Sequence, residues 1–145
     1  MKYDNGFTLL EVLLSIACIA IIAGISIPVY QSFQNRNDLD IAGTTIAQSL
    51  RRAQILSQSS DGDTTSGVKI LSPNIIVFRG ASYSGRDTTQ DETFTFPTSI
   101  TPTGINEIIF SKTFGIPSTT GTITLTSNIN ETRTITINAK GMVTY

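Results

Sequence analysis

Residues 7–29 read FTLLEVLLSIACIAIIAGISIPV, and this long apolar run is the strongest structural signal in the sequence. It contains 23 residues, and Glu11 is its only charged one. At 1.5 Å per residue, a helix of that length measures roughly 35 Å, which is enough to cross the hydrocarbon core of a bilayer. The pattern therefore predicts a transmembrane helix over residues 7–29.

Two other N-terminal signals compete with a retained helix that follows a short leader. An ordinary secretory signal has a clean apolar run before a small-x-small cleavage site, whereas this run has an acid near its start and passes into Pro28 and a continuing helical pattern. A lipoprotein signal would use Cys18, but Ser15 stands three residues before it, where an aliphatic residue is expected. The retained helix fits these residues best.

The residues around Gly6 form a specific junction. Residues 2–6 read KYDNG and residues 7–11 read FTLLE, so a short polar leader ends in Gly and an apolar helix with one acid follows. This junction closely resembles the prepilin-type signal of type IV pilins and type II secretion pseudopilins. The resemblance implies that a membrane prepilin peptidase removes the leader, residues 1–6, by cutting between Gly6 and Phe7. The same enzyme would then methylate the new amine of Phe7.

The acid at position 11 needs a physical explanation. A carboxylate in the hydrocarbon costs roughly 2.5 to 3.5 kcal/mol on insertion scales, so Glu11 is expected to have a partner. The resemblance implies one: in pilins this acid neutralises the N-terminal amine of a neighbouring subunit, so Glu11 would pair with the amine of Phe7, its own or the next chain's. The alternative is that Glu11 lies near the cytoplasmic interface and reaches headgroup water. Pro28 stands where many pilins carry a helix-kinking proline.

Beyond residue 30 the chain turns polar, yet the helical period continues. We therefore expect one long helix from about residue 7 to residue 57, kinked near Pro28 because proline removes a backbone donor and crowds the preceding turn. Residues 30–58 are its amphipathic continuation, whose apolar stripe needs a globular domain to cover it. That stripe consists of apolar residues three or four positions apart, namely Leu39, Ala42, Ile46, Leu50, Ala53 and Leu56.

Residues 59–145 are predicted to form a β-rich globular domain. Residues 59–67 read SSDGDTTSG and break the helix, and the following sequence is rich in Thr, Ile, Val and Phe. Apolar and polar residues alternate most clearly in TITLT (122–126) and TITIN (134–138), which places the Ile and Leu side chains in a core and the Thr side chains in water. The fold class is then α+β, with the second half of the helix packed on an antiparallel sheet.

Seven strands and one long loop are expected in this domain. The segment at 81–91, ASYSGRDTTQD, is predicted to be a mobile loop. The strands are predicted over residues 67–71, 74–80, 93–96, 107–111, 121–126, 132–138 and 142–144.

The C-terminal half carries a second, more diffuse resemblance, to the GspH/FimT-type minor pseudopilins. Residues 50–54 read LRRAQ and resemble that family's Leu-Arg-x-Ala-Arg stretch, with Gln54 in place of the usual Arg. Major pilins of Gram-negative bacteria usually carry a C-terminal disulfide loop, which a chain with one Cys cannot form. The resemblance therefore implies a minor subunit. The matching segments are EIIF at 107–110, FG at 114–115, GTITL at 121–125, TITI at 134–137 and GMV at 141–143.

Composition argues against catalysis. The chain has 145 residues with no His and one Cys, which removes imidazole bases, Cys-His pairs and nearly every zinc ligand set. A Ser-Lys dyad through Lys69, Lys112 or Lys140 has no nucleophile-elbow motif to support it, so these lysines are interpreted as surface charge. There is no phosphate-binding Gly loop. We expect no enzyme, no catalytic residue and no cofactor.

Metal and DNA sites are weakly indicated. Residues 61–66 read DGDTTS and offer alternating oxygen ligands, but Ser72 stands where an EF-hand needs its bidentate acid, so a solvated turn without metal is predicted. A net charge of -1 provides no basic excess for nucleic acid. A DNA-uptake role would need a local basic patch, but acidic residues are interspersed among the candidate cations. The candidate cations for such a patch are Arg79, Arg86, Lys112, Arg133 and Lys140.

The sequence thus predicts a structural subunit that assembles into a type II secretion pseudopilus or a type IV pilus. The alternatives are a DNA-uptake subunit on the same scaffold and a membrane-anchored surface domain that never polymerises. The expected partners are the prepilin peptidase, other pilin or pseudopilin subunits through the N-terminal helix and, indirectly, an inner-membrane platform protein and an assembly ATPase. The expected location is the cytoplasmic membrane, with a single pass and the C-terminal domain outside the cytoplasm, and later the filament.

Overall fold

The computed structural model describes residues 6–59 and 64–145, without the side chains of residues 26–28. The chain divides into two units, Met1–Gln34 and Asn35–Tyr145. Helix α1 (Leu9–Gln58) supplies the described helical residues of the first unit and the first element of the second. The long helix predicted from the sequence is confirmed. The helix is continuous through position 28, and because the side chain of Pro28 lies outside the described residues, the kink there stays a prediction.

In the second unit, α1 buries the stripe that its sequence period predicted. All six stripe residues are buried, and Ala42, Ile46, Leu50 and Ala53 have no exposed surface. The stripe combines small and large apolar side chains, and all six belong to one apolar core with residues of the strands. The opposite side of α1 is exposed and carries Gln48, Arg51 and Arg52. The predicted amphipathic helix is therefore confirmed.

Eight strands follow within the described residues and form two antiparallel sheets. The first sheet has the order β3-β2-β1-β5 and the second has the order β4-β6-β7-β8. The α+β prediction is confirmed. The strands are β1 (Ser66–Leu71), β2 (Asn74–Arg79), β3 (Glu92–Thr95), β4 (Ile100–Gly104), β5 (Glu107–Phe110), β6 (Gly121–Ser127), β7 (Thr132–Ile137) and β8 (Val143–Thr144).

One apolar core joins the helix stripe to the inward faces of both sheets. The first sheet contributes Val68 and Phe110, and the second contributes Ile123, Leu125, Ile135 and Ile137, all of them buried. The alternation in TITLT and TITIN therefore predicted the core residues correctly. Burying several large aliphatic side chains stabilises such a unit by about 1.5 to 3 kcal/mol each.

Strand β4 is absent from the sequence prediction. Its central residue is Pro102, and a proline inside a short run argues against a strand because it has no N–H to donate. β4 lies at an edge of the second sheet, where only one side of the strand must pair, with β6. The edge position explains why the proline is tolerated.

The segment at 81–91, predicted to be a mobile loop, is anchored to the first sheet. The guanidinium of Arg86 donates from Nε to both carboxylate oxygens of Asp91, at 2.8 and 3.1 Å, and from Nη1 to the carbonyl of Tyr83 at 2.7 Å. The same guanidinium lies 3.8 Å from the ring centroid of Tyr83. The Tyr83 ring packs edge-on against Phe78 of β2, with centroids 5.7 Å apart. Side-chain contacts therefore hold a segment that has turn-type composition.

Candidate assembly helix and its processing site

The N-terminus of α1 is capped by Thr8. Its hydroxyl oxygen accepts the backbone N–H of Glu11 at 3.3 Å, and its carbonyl accepts the N–H of Val12 at 3.2 Å. Thr8 and Glu11 therefore stand in the spacing of a capping box, Thr-x-x-Glu. This explains why the helix begins at Leu9 and not at Phe7. The Thr-x-x-Glu spacing of residues 8–11 is visible in the sequence and indicates this helix start, whereas apolar periodicity alone does not.

The cap gives Glu11 a second role besides the pairing that the pilin resemblance implies. Glu11 lies in the first turn of α1, where the partial positive charge of the helix dipole favours a carboxylate. A Glu three residues after a Thr cap also supports the helix start locally. Helix capping is therefore a reason for an acid at position 11 that is separate from the predicted pairing with the amine of Phe7.

The apolar segment after the cap is exposed on all sides in this single chain. Every residue from 6 to 25 is exposed, and the aliphatic side chains of Leu9 and Leu10 are 82% and 76% exposed. Of the helices in the described residues, α1 is long and apolar enough to cross a membrane, with a window of mean hydropathy 2.6. Burying such a surface requires lipid or the helices of other chains.

The predicted processing site lies at the boundary of the described residues. Gly6 is exposed, with no heavy atom within 4 Å of the position that a Cβ would take, and Phe7 is 82% exposed. Residues 1–5 of the predicted leader lie outside the described residues. An exposed, unobstructed junction is what a peptidase needs. Cys18 is an exposed free cysteine in the same segment.

The candidate DNA cations are partly engaged in intramolecular ion pairs. Arg86 pairs with Asp91, which raises the pKa of Arg86 through their hydrogen bond, and Arg133 pairs with Asp40 of α1. Of these two carboxylates, Asp91 lies among the candidate cations in the sequence and Asp40 lies on α1. Ion pairing reduces the positive potential that phosphate binding requires.

The other candidate sites are also accounted for. Lys69, considered for a Ser-Lys dyad, places its Nζ 3.0 Å from the Glu107 carboxylate and lies 5.8 Å from the ring centroid of Tyr83. Residues 61–63 of the candidate calcium loop lie outside the described residues. Among the described residues, no group of three or more His, Cys, Asp or Glu side chains is placed to hold a metal ion.

The residues that resemble GspH/FimT-type proteins meet at the C-terminal end of α1. The amide of Gln54 donates to the carbonyl of Gly115 at 3.0 Å and to that of Lys140 at 3.3 Å. Gly141 has a φ of 77°, and a Cβ there would lie 2.4 Å from the amide nitrogen of Gln54. A side chain at 141 would thus clash with the hydrogen-bonded amide, which explains the glycine in the GMV segment.

Comparison with known proteins agrees with this N-terminus. Residues 1–27 match the protein-family model described as the prokaryotic N-terminal methylation motif. Two fimbrial proteins of Pseudomonas aeruginosa are each 29% identical to this chain over 108 residues, or 74% of its length. Both findings support the type IV pilin and pseudopilin superfamily that the sequence resembles. The matched region spans 60% of the length of these fimbrial proteins, and no solved structure matches the chain.

These matches support a pilin-like structural subunit and point to a non-enzymatic protein. The methylation motif suggests processing by a prepilin peptidase and assembly with other pilins. Together with the exposed apolar helix, it fits membrane anchoring with the C-terminal domain outside the membrane. The narrower GspH/FimT assignment stays a prediction.

Proposed function

We propose that this pilin-like chain is made as a membrane-anchored precursor, cleaved between Gly6 and Phe7 and methylated on Phe7. It then assembles through α1 into a type II secretion pseudopilus or a type IV pilus. The observation that carries the proposal is the junction itself: an exposed Gly6, a capped helix start and an apolar helix that is exposed from residue 9 to residue 25. The helix has the length and surface to lie first in lipid and then against the helices of other subunits.

The domain organisation follows from the same proposal. Residues 1–6 form the leader, residues 7–29 the transmembrane and polymerisation helix, residues 30–58 its amphipathic continuation and residues 59–145 the β-rich domain outside the cytoplasm. An inner-membrane platform protein and an assembly ATPase would drive assembly, because the sequence contains no phosphate-binding loop. Three segments that resemble that family, residues 50–54, 114–115 and 141–143, meet at Gln54, which supports the minor-pseudopilin assignment although Gln54 itself replaces that family's usual Arg.

Mass spectrometry of the mature N-terminus tests the processing step. The full chain is co-expressed with a prepilin peptidase, and the expected product begins at methylated Phe7. Gly6→Val should block the cut by placing a branched side chain at the junction, whereas Gly24→Val changes another exposed glycine and should leave the cut intact. An intact leader, or a cut near Ala23 or Cys18, would contradict the proposal.

Substitutions at Glu11 separate assembly from helix capping. Gln at this position still suits a capping box but has no charge, so Glu11→Gln should keep the helix start and lose incorporation into filaments. Thr8→Ala removes the cap hydroxyl but keeps the charge, so it should retain incorporation. If Glu11→Gln assembles as well as the unchanged chain, the proposed pairing of Glu11 with the Phe7 amine is wrong.

A further inference from the structure

The peptide bond at the proposed processing site lies just ahead of α1. Residues 6–8 are exposed and outside regular secondary structure, and the helix begins at Leu9. Within the described residues, the first carbonyl that accepts an N–H of the helix is that of Thr8, which bonds to the N–H of Glu11 at 3.1 Å. The carbonyl of Gly6 therefore lies outside the hydrogen-bond pattern of the helix.

Hydrolysis of this bond requires access to the Gly6 carbonyl. One water adds across the bond, so that Gly6 gains a carboxylate and Phe7 gains an amine. Enzymes that catalyse acyl transfer attack the carbonyl carbon and direct donors at the oxygen, where negative charge develops. In an α-helix the same oxygen would accept the N–H four residues later, which here is that of Leu10. A helix that started at or before Gly6 would have to open before the bond could be cut.

The sequence offers the helix a second starting point, upstream of the observed one. Asn caps helices at least as well as Thr, and Asn5, which lies outside the described residues, stands three positions before Thr8. A helix capped at position 5 would hold Gly6 and Phe7 in its first turn, although glycine is a poor helix former and opposes that start. The Thr8 hydroxyl accepts the N–H of Glu11 at 3.3 Å, and these two residues have the spacing of a capping box. The cap therefore favours the downstream start.

We propose that Thr8 is a positioning residue for processing. Its cap holds the start of α1 at Leu9 and so keeps the Gly6–Phe7 bond in the non-helical form that a prepilin peptidase can cut. The inference rests on the proposed function, which supplies the cut itself. The methylation motif includes this junction and points to a processing enzyme independently of the cap. Thr8 changes how often the bond is presented to the enzyme and takes no part in the hydrolysis.

The rate of the cut tests this role. The full chain and its variants, in detergent, are mixed with a prepilin peptidase, and the product that begins at Phe7 is followed over time by mass spectrometry. Thr8→Val keeps the β-branched shape but removes the hydroxyl, so the initial rate should fall by about threefold to tenfold. Thr8→Ser keeps a cap hydroxyl and should restore the rate. Both variants should reach the final extent of cleavage of the unchanged chain, because only the presentation of the bond is altered.

Ser15→Ala is the matched control. The Ser15 hydroxyl is exposed on the same apolar segment, but it donates to the carbonyl of Glu11 at 2.8 Å, inside the helix and away from its start. Removing this hydroxyl should leave the initial rate unchanged. A fall in rate equal to that of Thr8→Val would show that the cap has no special part in processing, and it would overturn the inference.

A conformational measurement separates positioning from direct recognition of the hydroxyl by the enzyme. Carbon-13 at the carbonyl of Phe7 reports by its chemical shift whether this residue is helical in the chain without peptidase. Thr8→Val should move the shift towards the helical value, and Thr8→Ser should not. Equal initial rates for Thr8→Val and the unchanged chain, or slower cutting without a change in the Phe7 shift, would overturn the inference alone. An unchanged chain that is not cut between Gly6 and Phe7 would contradict the proposed function and, with it, this inference.

Discussion

The two sheets of the second unit share one core and differ on their outward faces. On the first sheet, Lys69 pairs with Glu107, and the segment at 81–91 lies over Phe78 through the ring of Tyr83. On the second sheet the outward residues are threonines, and nothing within the described residues covers them as Tyr83 covers Phe78. One face is therefore closed by its own chain, and the other is open and neutral.

This difference shows that the same strand alternation can serve two purposes. Inward residues stabilise both sheets in the same way, because they enter a single apolar core. Outward residues do not have to be apolar, so their side chains differ according to what each face contacts. Charges and an aromatic ring on the first sheet hold a loop of the same chain, whereas the outward residues of the second sheet are uncharged threonines, most of them exposed.

The largest loss of stability is expected when a buried residue of β7 is replaced, and its exposed neighbour on the same strand is the comparison. Ile135→Ala removes a fully buried side chain and should lower the free energy of unfolding by about 2 to 5 kcal/mol. Thr134→Ala changes the adjacent outward position and should change it by less than about 0.5 kcal/mol. Thermal unfolding of the full chain in detergent, followed by circular dichroism, measures both. A cost at Thr134 close to that at Ile135 would show that Thr134 is covered within the single chain.

A smaller loss of stability is expected from replacing Gln54, which connects the ends of the two sheets. Gln54 on α1 holds the carbonyl of Gly115, in the connection after β5, and that of Lys140, in the turn before β8. Gln54→Ala leaves both carbonyls without this donor and should cost about 1 to 3 kcal/mol. Gln48→Ala, on the exposed side of the same helix, is the matched control and should be nearly neutral. Equal stabilities of the two variants would mean that the Gln54 amide does not tie the two connections together.

The closed face of the first sheet can be opened without touching the core. Arg86→Ala removes the ion pair with Asp91 and the guanidinium stacked on Tyr83, so the segment at 81–91 should exchange its amide hydrogens roughly tenfold faster. Exchange in β6 and β7 should stay unchanged. Arg51→Ala, at an exposed position of α1, serves as control. Unchanged exchange at 81–91 would show that contacts other than those of Arg86 anchor the segment.

Several of these features could be predicted from the sequence, because they depend on residues close together in the chain. The spacing of Leu39 to Leu56 and the alternation in TITLT are local patterns, and both gave the correct buried residues. The cap at Thr8 was equally local and could have been found from the Thr-x-x-Glu spacing. The anchoring of Tyr83 by Glu107 was not predictable, because it joins residues 24 positions apart.

Strand β4 and the outward threonines of the second sheet show two further limits of local reasoning. β4 was not predicted because it contains Pro102. A proline is tolerated there because β4 is an edge strand, and only the order of the strands in the sheet shows this. The alternation predicted threonines in water along two separate strands, but the register across four strands is what joins them into one grid. Pairings between distant strands are set by the whole fold and not by any one segment.

The smallest effect on stability is expected on lowering the pH, at two carboxylates of the first sheet. The backbone N–H of Tyr83 donates to the Glu107 carboxylate at 3.0 Å and, together with Lys69, holds the pKa of Glu107 below its usual range. The hydrogen bond from Arg52 likewise lowers the pKa of Glu92 on β3. A carboxyl whose pKa is lower in the folded chain than in the unfolded one binds its proton more readily on unfolding. Its stabilising contribution is therefore complete above the usual glutamate pKa of about 4.3 and is lost as the pH falls through the lowered value.

We therefore expect the melting temperature to fall between about pH 5 and pH 3, with amide exchange rising first in β1, β3 and the segment at 81–91. Glu107→Gln should flatten this acid dependence, because the glutamine oxygen can still accept the Tyr83 N–H but does not titrate in this range. The outward threonines of the second sheet have no titratable side chain, so amide exchange in β6 and β7 should rise later than in the first sheet. An identical acid dependence in the Glu107→Gln chain, or faster exchange in β6 and β7 before the first sheet opens, would contradict this division between a charged closed face and a neutral open one.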